Sequence, residues 1–292
     1  MKVALKTIVL TLLVVTLSGC MTYRYERAET LIPPIVEEPF IETRLVQIDH
    51  PQIAEELPFV TFKALFIPLP EEPSLALLND LVAGVSAASY EVVAFIGEEE
   101  SITYLEKEFE GGSQRLAERQ LVVTPHKGVL DGRGKLLLNL HPKTQLTVAL
   151  LEISPGAYER LIAGADLEDL TQKDNFALPQ LGGPTLLFAS LGEPSSEDWF
   201  ETAEGHLYRT KTSWPNSDAL REAGFFDTWR LTHYSALSDP GVTWEYHYED
   251  ELVISERIDY LYVQGVVPLE SHTYEIAPKG GRFAIEASFI IP

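Results

Sequence analysis

Cysteine occurs once in 292 residues, at position 20. A single thiol excludes an intrachain disulfide and any zinc or iron–sulfur site built on several cysteines, so its position has to explain it. Basic residues are also scarce: 22 Lys and Arg stand against 44 Asp and Glu, a net charge of -22 at neutral pH. Such a surface repels phosphate backbones, and nucleic acid is disfavoured as a partner. The apolar run from Ile8 to Leu17 is too short to span a bilayer. The seven histidines contain no metal-binding pair at helical spacing, and no Gly-x-Ser-x-Gly elbow surrounds Ser190. What the chain does have is 45% apolar residues against 23% charged ones, which excludes a disordered polymer and suffices for a substantial core.

Lys2 and Lys6 flank the start of the apolar run, and Leu17-Ser18-Gly19-Cys20 closes it. The arrangement resembles a bacterial lipoprotein signal with its lipobox. The resemblance implies removal of residues 1–19 and lipidation of Cys20, which becomes the membrane attachment point. Removal takes two lysines and no acid, so 22 - 44 = -22 becomes 20 - 44 = -24. Anchoring then rests on acyl chains, about 0.8 kcal/mol per buried methylene, and not on charge. Met21 is not the aspartate that often marks inner-membrane retention. The expected location is the cell envelope, at the outer membrane or surface more than the inner membrane.

Residues 20–58 hold Pro33, Pro34, Pro39, Pro51 and Pro58 among scattered glutamates and read as an extended tether. From residue 59 to 292, short apolar runs alternate with amphipathic stretches, the pattern of one α/β domain. Strands are expected at Phe59–Ile67, Glu91–Ile96, Gln120–Val123, Lys135–Leu140, Gln145–Ile153, Pro184–Ser190, Val242–His247, Arg257–Gln264, His272–Ala277 and Arg282–Ile291. Helices are expected at Ser74–Ala88, with Ser74 as N-cap, at Glu99–Phe109, through Tyr158–Ile162, and at Ser195–Ala203 and Ser217–Ala223. Asp131-Gly132-Arg133-Gly134 reads as a hairpin turn.

The last third carries Phe225-Phe226-Asp227-Thr228-Trp229-Arg230, then Pro240-Gly241-Val242-Thr243-Trp244, then Arg257-Ile258-Asp259-Tyr260. Upstream lies Pro184-Thr185-Leu186-Leu187-Phe188-Ala189-Ser190-Leu191-Gly192-Glu193-Pro194-Ser195-Ser196-Glu197-Asp198-Trp199. In order and spacing these segments resemble the endonuclease/exonuclease/phosphatase superfamily, the group of deoxyribonuclease I. The resemblance implies a two-sheet, four-layer α/β sandwich whose cleft holds a divalent cation and hydrolyses a phosphate ester. It also assigns a scaffold role to Asp227, Trp229, Arg230, Trp244, Arg257, Asp259 and Tyr260, through Arg–Asp pairing and buried aromatics.

The departures fall on the positions where the family keeps its chemistry. Ser190 replaces an Asp and Gly192 an Asn, and neither does the work of the original. Gly97 stands where the second strand ends in a metal-binding Glu, with Glu98 one residue late and so turned to the opposite face. Glu152 ends a strand that lacks the family's His, and Arg282 replaces the His of the last motif. The expectation is a non-catalytic relative without a cofactor, serving in the envelope as a binding or structural module for an unidentified protein or an anionic small molecule held by Arg282. The alternative is a diverged phosphoesterase that binds magnesium or manganese through the displaced carboxylates Glu98, Glu152 and Glu193.

Overall fold

The structure is a computed structural model that describes residues 59–131, 134–153, 156–162, 183–202, 213–248, 251–276 and 281–292. Residues 1–58, with Cys20, the signal segment and the tether, lie outside the described residues, as do His50, His206 and residues 132 and 133 of the hairpin turn.

The chain opens with strand β1 (Val60–Pro68), helix α1 (Leu75–Ala87) and strand β2 (Val92–Ile96), with β1 and β2 parallel. Ser74 caps α1 by accepting the Leu77 N–H at 3.2 Å, as its place before the apolar periodicity predicts. Helix α2 (Glu99–Glu108) starts without a side-chain cap, and Glu99 and Glu100 instead complement its dipole. Strands β3 (Ser113–Ala117) and β4 (Gln120–Val123) form a hairpin beside β2.

A second series follows: β5 (Gly128–Leu130), β6 (Lys135–His141), β7 (Thr144–Glu152), α3 (Ala157–Ile162) and β8 (Thr185–Ser190). Strands β7 and β8 are parallel, like β1 and β2. Then come α4 (Ser196–Thr202), α5 (Pro215–Glu222), β9 (Phe226–Asp227), α6 (Thr228–Thr232), the ribbon of β10 (Trp244–Tyr248) and β11 (Glu251–Glu256), and β12 (Asp259–Gln264). The chain ends with β13 (Val267–Glu275) and β14 (Phe283–Ile291). Two mixed six-stranded sheets result, ordered β13-β14-β1-β2-β4-β3 and β5-β6-β7-β8-β12-β9.

The apolar runs explain why the sheets stack. Each central strand is buried on both faces, so its residues serve two cores in alternation. Phe62, Ala64, Phe66, Val92 and Ala94 face Leu146, Val148, Leu186, Phe188 and Leu261 across the sandwich, with Phe66 and Phe188 rings 5.6 Å apart. The intervening Leu65, Ile67, Val93 and Phe95 pack outward with Ile102 and Leu105 of α2. On the other side Leu187, Ala189, Tyr260 and Tyr262 pack with Leu220 of α5. The four layers are therefore helix, sheet, sheet, helix, as expected from the sequence.

Two expectations shift. The strand expected from His272 begins at Val267, because Gly265, at φ +64°, lets the chain turn from β12 in one sheet to β13 in the other. The strand expected from Val242 begins at Trp244, because the Thr243 hydroxyl oxygen accepts the N–H groups of Ile258 and Asp259, each at 3.0 Å.

Candidate functional site

The parallel pairs β1–β2 and β7–β8 deliver their C-terminal ends to one edge of the sandwich. Gly97, Glu98, Arg119, Glu152, Ser190 and Arg282 meet there around a cleft of about 70 Å³. Glu152, Ser190 and Asp259 lie in register across β7, β8 and β12. The Ser190 hydroxyl donates to Asp259 Oδ1 at 2.6 Å, and Arg282 Nη1 donates to Oδ2 of the same carboxylate at 2.9 Å. Asp259 is fully buried, so Arg282 neutralises a charge that has no other access to solvent.

The opposite wall is organised by Arg119, in the β3–β4 turn. Its Nη2 lies 3.0 Å from Glu98 Oε1 and 3.1 Å from Glu152 Oε1, and its Nε donates to the Gly97 carbonyl at 3.2 Å. One guanidinium thus ties the end of β2 to the end of β7. No spacing in the chain marks Arg119 for this task; its partners lie in two other strands' ends, and only the folded arrangement selects it.

No family model matches the chain. Over 107 residues it is 33% identical to an uncharacterized protein of Caenorhabditis elegans, a match that spans 34% of this chain and 34% of that protein. The chain therefore spans about a third of that relative's length. Among solved structures, D. rerio TDP2 complexed with single strand DNA product superposes with a TM-score of 0.50 at 12% identity, covering 78% of this chain and 98% of that one. An endonuclease/exonuclease/phosphatase family protein from Bacteroides thetaiotaomicron gives 0.47 at 8% identity, over 80% of this chain and 99% of its own. The chain has the endonuclease/exonuclease/phosphatase fold.

Of the positions singled out by the family resemblance, Gly97, Glu152, Ser190 and Arg282 line the cleft. A Cβ on Gly97 would sit 2.7 Å from Leu69 Cδ1 and 2.8 Å from Leu69 Cβ, so no carboxylate side chain fits there. Gly192, at φ +58°, has its backbone pressed against Gly156, and its carbonyl accepts the Tyr158 N–H at 2.9 Å. Glu98 is not turned to the opposite face as expected, because β2 ends at Ile96 and strand alternation stops there; it lines the cleft with Glu152, and both converge on the guanidinium of Arg119. Glu193 joins neither: it is fully buried, and its carboxylate accepts the N–H groups of Asn216 and Ser217 at 2.9 and 3.0 Å, closing the start of α5. The set Glu98, Glu152 and Glu193 is thus divided, and among the described residues no three His, Cys, Asp or Glu are grouped to hold a metal ion. The donor set present does not fit a divalent cation, whose carboxylate ligands would have to be taken from Arg119.

The scaffold residues assemble beside the cleft around Arg257. Its guanidinium binds Asp198 and Asp227 and lies 4.6 Å from the Tyr260 ring centre. Arg230 Nε donates to the other oxygen of Asp198 at 2.6 Å. Burial works to raise the Asp198 carboxyl, and the charges of Arg257 and Arg230 outweigh it, holding it below its ordinary value. Burial pushes the Asp227 carboxyl up, against the pull of Arg257. The Tyr260 hydroxyl lies 2.7 Å from the Arg257 carbonyl and 3.0 Å from that of Glu193. Trp229 stacks on His233 with centroids 3.8 Å apart, and its Nε1 donates to the Asp239 carbonyl at 3.0 Å. Trp244 meets Tyr158 edge-on at 6.3 Å and bridges to Arg282. Asp198 is the member that motif reading left unassigned, although it lies six residues after Gly192.

Proposed function

We propose that this protein is a lipid-anchored lipoprotein of the cell envelope whose endonuclease/exonuclease/phosphatase-like domain works as a non-catalytic binding module. The observation that carries the reading is the guanidinium of Arg119 between Glu98 and Glu152. A metal-dependent phosphoesterase needs those carboxylates for a cation that polarises the phosphate and activates water. Here an arginine, which stays charged at any physiological pH, holds them. Ser190 and Asp259 lie at the place of a base, yet the serine donates its proton to the carboxylate and Arg282 caps the other oxygen. An anion entering the cleft would have to compete with Asp259 for Arg282, which favours a protein partner recognised by the rim of the cleft over a tightly held phosphate. Attachment rests on Leu17-Ser18-Gly19-Cys20, and the net charge of -22 disfavours nucleic acid.

The test is hydrolysis of bis(p-nitrophenyl) phosphate and p-nitrophenyl phosphate by the purified chain in magnesium and in manganese. The expected rate equals that of the buffer. Turnover that requires metal and disappears in Glu152→Gln would overturn the non-catalytic reading. Lipid attachment is checked separately: labelled palmitate should enter the wild-type chain and not Cys20→Ala, and label in both would remove the anchor.

A further inference from the structure

The cleft lies at the C-terminal ends of β1, β2, β7 and β8, so the N-terminal ends of these strands form the opposite end of the sandwich. Strand register places four exposed apolar side chains toward that end. Phe59 precedes β1, and Val267 opens β13 in register with Ile290 and, through it, Thr61. Leu269 follows at the bulge between Pro268 and Glu270. On the second sheet Phe226 pairs with Val263, which pairs with Leu186, the second residue of β8. The four are between 47 and 58% exposed. A single exposed apolar residue is ordinary, but four gathered at one end from both sheets mark an interaction surface.

The place where the chain enters the domain argues for what covers this end. Phe59 follows directly on the tether, so the path from Cys20 arrives beside Val267 and Leu269 and not at the cleft. A flexible chain as long as residues 20–58 has an end-to-end distance of about 35 Å and gives an effective concentration of about a millimolar, so weak contacts suffice to orient the domain. The charges beside the apolar set largely balance. Lys63 and Glu270 flank Ser288 in register, Asp227 is bound by Arg257, Arg221 pairs with Asp218, and Glu222 adds one carboxylate. The net charge of -22 nevertheless disfavours an anionic surface and selects a zwitterionic one. The nine residues of β1 set the cleft about 30 Å away, at the other end.

We infer that the domain rests this end on a zwitterionic lipid surface, with Phe59, Phe226, Val267 and Leu269 among the headgroups, and so presents the cleft outward to its partner. The inference rests on the lipid-anchor reading above. In the test the full chain is coupled through its single thiol, Cys20, to maleimide-bearing lipid in phosphatidylcholine vesicles whose acyl chains carry bromine, a short-range quencher of tryptophan. The coupling supplies the anchor chemically, so this test and the palmitate test fail separately. Leu269→Trp and Phe226→Trp place reporters on the two sheets, and Glu71→Trp, at the cleft, is the control. Relative to vesicles without bromine, the emission that each reporter adds to the wild-type chain should fall at least about twofold, since an apolar group at a lipid interface lies about 5–10 Å deep. The emission added by Glu71→Trp should stay the same, and brominated phosphatidylglycerol vesicles should quench both reporters less. A folded reporter that stays bright in phosphatidylcholine overturns the inference, as does equal quenching of Glu71→Trp. Stronger quenching in phosphatidylglycerol overturns the lipid class. Either reporter decides alone if melting shows that the other variant does not fold.

Discussion

Arg119 Nη2 lies 3.1 Å from Glu152 Oε1, joining a turn of the first sheet to the last residue of β7 in the second. The pair fills the cleft with protein charge, the arrangement on which the non-catalytic reading proposed above rests. Removing it should therefore expose a latent metal preference. Arg119→Ala should bind manganese with a dissociation constant of about a millimolar, the range of weak oxygen-ligand sites. The unsubstituted chain should bind at least about tenfold more weakly, and Glu152→Gln added to Arg119→Ala should abolish the gain. Titration followed by the electron paramagnetic resonance of free manganese measures this. Equal affinity in the wild type and Arg119→Ala would mean that the guanidinium does not guard the carboxylates.

Gly97 and Leu69 share one volume. Gly97→Ala should destabilise the domain by about 1–3 kcal/mol through overpacking. In a Leu69→Gly background, which removes Cβ as well as Cγ and Cδ1, the added cost of Gly97→Ala should fall below about 0.5 kcal/mol. Urea unfolding of the four proteins completes the cycle, and strict additivity would show that Leu69 is not what excludes a side chain there.

The charge of Asp198 should make stability depend on pH with a definite sign. Its carboxyl is held below its ordinary value in the folded state, so the unfolded chain takes up the proton first as pH falls. The stabilisation is full above the unfolded value, about 3.9, and is lost as pH drops through the lower folded value. Asp198→Asn should cost about 3–5 kcal/mol at pH 7, since it leaves the buried Arg257 with one partner fewer. That difference should shrink in acid, and a difference equal at pH 7 and about pH 3 would assign the effect to packing instead of charge.

Gly241 answers to Trp229. It sits at φ +64°, and a Cβ there would run into the indole. Gly241→Ala should therefore lose more than the 1–2 kcal/mol of the left-handed backbone alone. Gly265→Ala, at the same φ with 3.5 Å to its nearest neighbour, should lose only about that amount. Equal losses in thermal unfolding would remove the steric role of Trp229.

Much of the fold was legible because burial on both faces writes itself as continuous apolar sequence. Phe59–Ile67, Glu91–Ile96 and Pro184–Ser190 each appear within a residue or two of the strands formed, and Ser74 marks the start of α1. Strands β3, β5, β9 and β11 were not legible. They are short or lie at sheet edges, and β9 is two residues whose pairing with β12 depends on a neighbour 35 residues away. The cleft divides in the same way. The family resemblance singled out Gly97, Glu152, Ser190 and Arg282, and the fold brings these four to one cleft. Their partners Arg119 and Leu69 carry no local mark.

The sequence by itself determined the acidic charge, the single cysteine in a lipobox-like setting and the layered α/β class. Those are properties of residue type and near-neighbour order, which persist in the unfolded chain. Only the tertiary structure decided that Arg119 binds Glu98 and Glu152, that Asp259 holds Ser190 and Arg282, and that Glu193 caps α5. A long charged or polar side chain reaches any of several groups, and its choice is made when strands distant in sequence register beside one another and water is excluded between them.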